Sequence, residues 1–206
     1  MKALSIAVFA LAASVFGMPS SERAVRDDTL HSVNDLSDHL ASGLSDVRTN
    51  TGAINATISD FKSGHISKDE ASTQVAQQFE LVNVKLSVIL ETILGSVGLD
   101  VDGANLDKLL GGTTELFSEV LYTVKGVITT LGLSKTLSAA VNAIVCVLGD
   151  LTKALGEILG KVLPNLLPTL VNTLKNLVQK LRTGLLSGLL SPVLRDLASI
   201  LDGLAH

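Results

Sequence analysis

The 206-residue chain is 47% apolar but only 3% aromatic, lacks tryptophan, and sets 16 Lys/Arg against 20 Asp/Glu. A net charge of −4 with no strongly basic stripe excludes the usual nucleic-acid binder, and a single cysteine excludes an internal disulfide framework. The core must be aliphatic, worth roughly 25 cal/mol per Å² buried, and a leucine-rich core with few rings specifies its packing loosely.

The first residues read as a secretory signal peptide over 1–17. Lys2 gives the positive start and Ala3 to Phe16 the apolar run. Val15-Phe16-Gly17 offers a cut after Gly17, with a cut after Ser14 as the alternative. The run is short for a membrane span and no basic stop follows it. Residues 18–29, with Pro19 and mixed charges, read as a flexible mature N-terminus. The expected location is therefore secreted or extracellular, with the cell wall as one destination.

A helical rhythm starts near Leu30. Val33, Leu36, Leu40, Leu44, Val47, Thr51, Ile54, Ile58 and Phe61 recur every three or four residues, which keeps one narrow stripe on a partner. Gly43 and Gly52 each weaken that helix by about 1 kcal/mol relative to alanine, and either bend it or admit a close neighbour. Ser63-Gly64 ends it. Ser67 with Glu70 has the spacing of a capping box at the next start. The second stripe runs through Val75, Phe79, Val82, Leu86, Ile89 and Ile93, and Gly95 and Gly98 stop it. Residues 30–95 thus form an antiparallel hairpin that cannot bury both apolar faces by itself.

Residues 95–105 form a Gly/Asp connector and the best internal boundary. The stretch Asp100 to Asp107 has the wrong spacing for a calcium loop; a turn at 102–105 with Asn105 as the helix cap fits better. Beyond it, 96–206 reads as a leucine-rich helical bundle region packed with the hairpin. Its helices fall at roughly 105–131 (interrupted at Gly111-Gly112), 135–163, 168–190 and 192–204, with Pro164, Pro168 and Pro192 as breaks. In 136–163 the apolar positions wrap much of the circumference and leave Asp150, Lys153, Glu157 and Lys161 on the remaining face. Cys146, inside Ala143-Ile144-Val145-Cys146-Val147-Leu148, reads as a small buried residue, the alternatives being a dimer-forming or lipid-reactive thiol. Leu170, Val171, Leu174, Leu177, Val178 and Leu181 form a tight stripe on a basic helix, suited to bundle packing or to peripheral contact with an anionic membrane surface.

Chemistry-bearing motifs are sparse. Asn55-Ala56-Thr57 is an acceptor triplet for N-glycosylation at Asn55, meaningful only in an exported chain. His31, Asp35 and His39 share a helix face, but without a fourth ligand they read as wet polar surface, and no metal or cofactor is expected. No nucleophile elbow, phosphate loop or zinc helix occurs, so no catalytic residue is assigned and the chain is expected not to be an enzyme.

The N-terminal part, roughly residues 25–95, resembles the fungal hydrophobic surface-binding protein family, which includes cell-wall galactomannoproteins. The resemblance rests on a leader followed by Arg26-Asp27-Asp28, the stripe from Val33 to Phe61, the turn at Ser63-Gly64 and the second aliphatic helix from Val75 to Ile93. It implies a secreted helical bundle that adsorbs to hydrophobic solids or holds lipids such as fatty acids, and it carries over no catalytic residue.

The expectation is an all-α, multi-helix bundle of amphipathic and highly apolar helices, secreted and non-enzymatic, that binds lipids or hydrophobic surfaces. Leu86, Ile89, Ile93, Leu148, Leu155 and Leu159 are the expected lining positions. The alternative is a secreted structural or host-interaction protein that binds a protein or a cell-wall glycan.

Overall fold

The computed structural model describes residues 30–96 and 98–182, together with Ser199, Asp202 and Gly203. The leader, the segment 18–29, residues 183–190 of the expected 168–190 helix and all but those three residues of the expected 192–204 helix lie outside it. Among the described residues the chain is an all-α bundle of five helices: α1 (Val33–Lys62), α2 (Lys68–Leu94), α3 (Leu106–Leu131), α4 (Lys135–Val162) and α5 (Leu167–Arg182).

Each of α1 to α4 starts where a side chain satisfies free amides. At α1 the box is complete: Ser32 accepts from the Asp35 amide while the Asp35 carboxylate accepts from the amides of Ser32 (2.9 Å) and His31 (3.2 Å). At α2, Ser67 supplies the serine half, accepting from the Glu70 amide at 3.2 Å. Asn105 caps α3 through Lys108, and Ser134 caps α4 through Leu137. The chain leaves α1 through Gly64 and α3 through Gly132, both at positive φ, where a side chain would be strained.

α1 and α2 form a packed antiparallel hairpin, with α3 laid against α1 and α4 against α2. α1 contacts α2 and α3, α2 contacts α1 and α4, and α5 leans on α3 and α4. The expected hairpin therefore does not stand alone: each of its helices finds its second partner in the C-terminal region. A continuous apolar core runs from Leu30 and Val33 through Leu86 and Leu116 to Leu159 and Val178.

α3 lies parallel to α1. Arg48 reaches Glu115 at 3.2 Å and Glu119 at 3.8 Å, Lys108 pairs with Asp38, and Thr51 donates to Glu119 at 2.5 Å. The connector is zipped along the start of α1. The Val33 amide donates to the Asp100 carbonyl (2.9 Å) and the Asp100 amide to the His31 carbonyl (2.8 Å), while Asn34 bonds both Gly103 and Asn105.

Two expectations are corrected. Gly111-Gly112 does not interrupt α3, which is continuous from Leu106 to Leu131. Buried Leu109, Thr113 and Leu116 on either side of the pair hold the helix, outweighing a propensity cost of about 1 kcal/mol per glycine. Cys146 is exposed rather than buried. The core face of α4 is fixed by Leu137, Val141, Ile144, Leu148, Leu151, Leu155 and Leu159. Cys146, two residues from both Ile144 and Leu148, falls about 200° round the helix from each. It shares that outer side with Asn142, Asp150 and Lys153.

Candidate functional site

The bundle has two ends of different construction. At one, the turns 63–67 and 132–134 are tight and adjacent, a Cβ on Gly132 falling 4.0 Å from the Lys68 Nζ. The other end collects the start of α1, the end of α2, the connector, the start of α3 and the α4–α5 turn. Apolar recesses open there.

The first recess, about 310 Å³, lies between the end of α2, the connector and the end of α4. Its walls are aliphatic: Ile93, Leu94, Leu99, Ala154, Ile158 and Val162, with Glu157 and Lys161 supplying the charge. Leu94 is 60% exposed and forms an open apolar flank. Neither Glu157 nor Lys161 belongs to an ion pair among the described residues. A second recess of about 320 Å³, lined by Leu106, Val162, Leu163, Pro164, Asn165 and Leu166, adjoins the first at Val162. Each is near the lower bound, roughly 300 Å³, of small-ligand sites.

The six expected lining residues are all in the core. Leu86, Ile93, Leu148, Leu155 and Leu159 are fully buried and Ile89 nearly so, on α2 and α4, which pack against each other. Of the six, Ile93 borders the recess. The wall residues next to them, Leu94, Ala154 and Ile158, were missed. Leu94 and Ile158 flank the core stripes near helix ends, whereas Ala154 is itself a small core residue of α4.

A third hollow of about 390 Å³ lies midway along the α1/α3 face and is polar. Asn55 is exposed on its wall, while Thr57 of the same triplet is buried and donates to the Ala53 carbonyl at 3.1 Å. On α2, Leu81, Val84 and Val88 (47%, 56% and 51% exposed) form an apolar stripe facing away from the core.

The remaining sequence candidates are structural. Asp35 is the cap carboxylate of α1, and His31 precedes that helix instead of sharing its face. The Ser32 hydroxyl, then the backbone amide of His31, with lesser help from the Ser32 amide and the nearby His31, hold the Asp35 carboxyl below the ordinary carboxylate range against the opposing effect of desolvation. No group of three or more metal-ligating side chains occurs among the described residues. None of their helices is long and apolar enough to cross a membrane. The apolar stripe of α5 is buried at Leu170, Val171, Leu174, Leu177 and Val178, so packing consumes it. No family model matches the chain, and neither a curated protein nor a solved structure matches it.

Proposed function

We propose that this is a secreted, non-enzymatic helical protein that binds amphiphilic lipids or hydrophobic surfaces. The observation that carries the reading is the aliphatic recess at the connector end, open beside Leu94 and bordered by Lys161, which has no ion-pair partner among the described residues. An acyl chain seated there gains about 0.8 kcal/mol per buried methylene, and Lys161 can face an anionic headgroup. The outward stripe Leu81, Val84 and Val88 supports adsorption, because an apolar solid would cover surface that water now hydrates. The implied mode of action agrees with the resemblance of residues 25–95 to hydrophobic surface-binding proteins, and needs no cofactor or metal.

The test is uptake of a fluorescent acyl probe by the purified full chain. Saturable uptake is expected, and Ile158→Trp, which fills the recess from a half-buried position, should weaken it about tenfold or more while the helical content is retained. Leu94→Asp should weaken it as well, at an exposed site that the fold tolerates. Uptake unchanged in both variants would remove the recess from the reading. Absence of any uptake, with no lowering of surface tension, would remove lipid and surface binding altogether.

A further inference from the structure

The polar hollow on the α1/α3 face differs from the recess in every physical respect. It is lined by Arg48, Asn55, Glu115, Ser118, Glu119 and Tyr122, with no aliphatic wall. Tyr122 is the only tyrosine of a chain without tryptophan, and its side of α3 faces out: the residue is 49% exposed, whereas Phe79 and Phe117 are buried in the core. An exposed ring amid polar side chains suits a ligand with an apolar face and a hydroxylated edge.

The surrounding polar groups are held in place. Arg48 is drawn towards Glu115 at 3.2 Å and Glu119 at 3.8 Å, and Glu119 accepts from the Thr51 hydroxyl at 2.5 Å. Glu119, held from two sides, is thereby oriented before a ligand arrives, which lowers the ordering cost of binding there, while Arg48 and Glu115 form an exposed pair. The side chains of Asn55 and Ser118 make no hydrogen bond to the described residues and have their donors and acceptors available. Two carboxylates against one guanidinium leave a residual negative charge, which disfavours anionic ligands. Ionised carboxylates are also strong acceptors for hydroxyl donors.

We propose that the α1/α3 groove binds a short neutral oligosaccharide, with one sugar ring stacked on Tyr122 and its hydroxyls bonded to Arg48, Glu115, Glu119, Asn55 and Ser118. At about 390 Å³ the groove is within the size range of small-ligand sites, roughly 300–1,000 Å³. The site is separate from the acyl recess and stands or falls independently of it.

The experiment uses the full chain made in a host that leaves Asn55 unmodified, so that no attached glycan occupies the groove. Because Tyr122 is the sole strong intrinsic fluorophore, its emission reports the groove directly. Titration with neutral trisaccharides of glucose, mannose and N-acetylglucosamine should give a saturable change for at least one series. By calorimetry, Tyr122→Ala should lose affinity by roughly tenfold while Tyr122→Phe retains it, since stacking needs the ring and not the hydroxyl. Glu119→Gln should weaken binding too, and uptake of the acyl probe should be unaffected in all three variants. No saturable change with any of the sugars would overturn the proposal. So would wild-type affinity in Tyr122→Ala, or equal binding of a galacturonate trisaccharide.

Discussion

Gly43 and Gly52 look alike in the sequence, both interior to α1, and the packing around them separates their roles. A Cβ on Gly43 would come within 2.3 Å of Ile89 Cδ1 and 2.7 Å of its Cγ1, so this glycine lets α2 approach. Around Gly52 there is nothing within 4 Å. Gly52→Ala should therefore stabilise the protein by up to about 1 kcal/mol through helix propensity alone. Gly43→Ala should destabilise it, because overpacking costs about 1–3 kcal/mol against that same gain. Urea denaturation of the two variants checks the pair, and a stabilised Gly43→Ala would show that Ile89 moves aside freely. Asp35 gives a second residue-scale prediction. Its carboxyl titrates below the ordinary value when folded, so its cap contributes at neutral pH and down to about pH 4. That contribution is lost as pH falls further, through the folded value. Asp35→Asn should flatten the acid limb of the stability curve, and an unchanged limb would dismiss the carboxylate as a contributor.

The helices themselves were legible in the sequence because their apolar residues recur at three and four over four or more turns, and their ends carry Ser, Asn, Gly or Pro. The expected spans 105–131 and 135–163 meet α3 and α4 to within a residue. Single residues inside apolar runs were less legible. Cys146 sits among Ile144, Val145, Val147 and Leu148, yet a helix turns about 100° per residue and carries it to the outside. The complete cap of α1 is not among the sequence expectations either: Asp35 stands out there only for its spacing from His31 and His39, and Ser32 not at all. Whether a stripe residue lines a cavity or meets another helix depends on which helices become neighbours, and periodicity does not encode that. Leu148 and Leu155 show the consequence: both are fully buried on α4. Leu148→Ala should cost about 2–5 kcal/mol, as for other large-to-small core changes. Thermal and urea unfolding measure it, and a loss under 1 kcal/mol would mean that the aliphatic core closes over the gap.

At the scale of the whole molecule, the order of helices places an oily recess and a polar groove apart, the first at the connector end and the second midway along α1 and α3. The α1/α3 register brings together Asp38 with Lys108 and Arg48 with Glu115, pairs about seventy residues apart in sequence. A chain read alone offers no means of matching such partners. The two ends also differ in how the backbone is held. One is closed by two short turns, each followed directly by a serine cap. The other is laced by the few bonds joining residues 30–34 to 96–105. Amide protons near Val33 and Asp100 should exchange with solvent well ahead of those around Leu131 and Leu137. Breathing would then start where the oily hollow lies, which gives a greasy guest a doorway that needs no unfolding of the opposite pole.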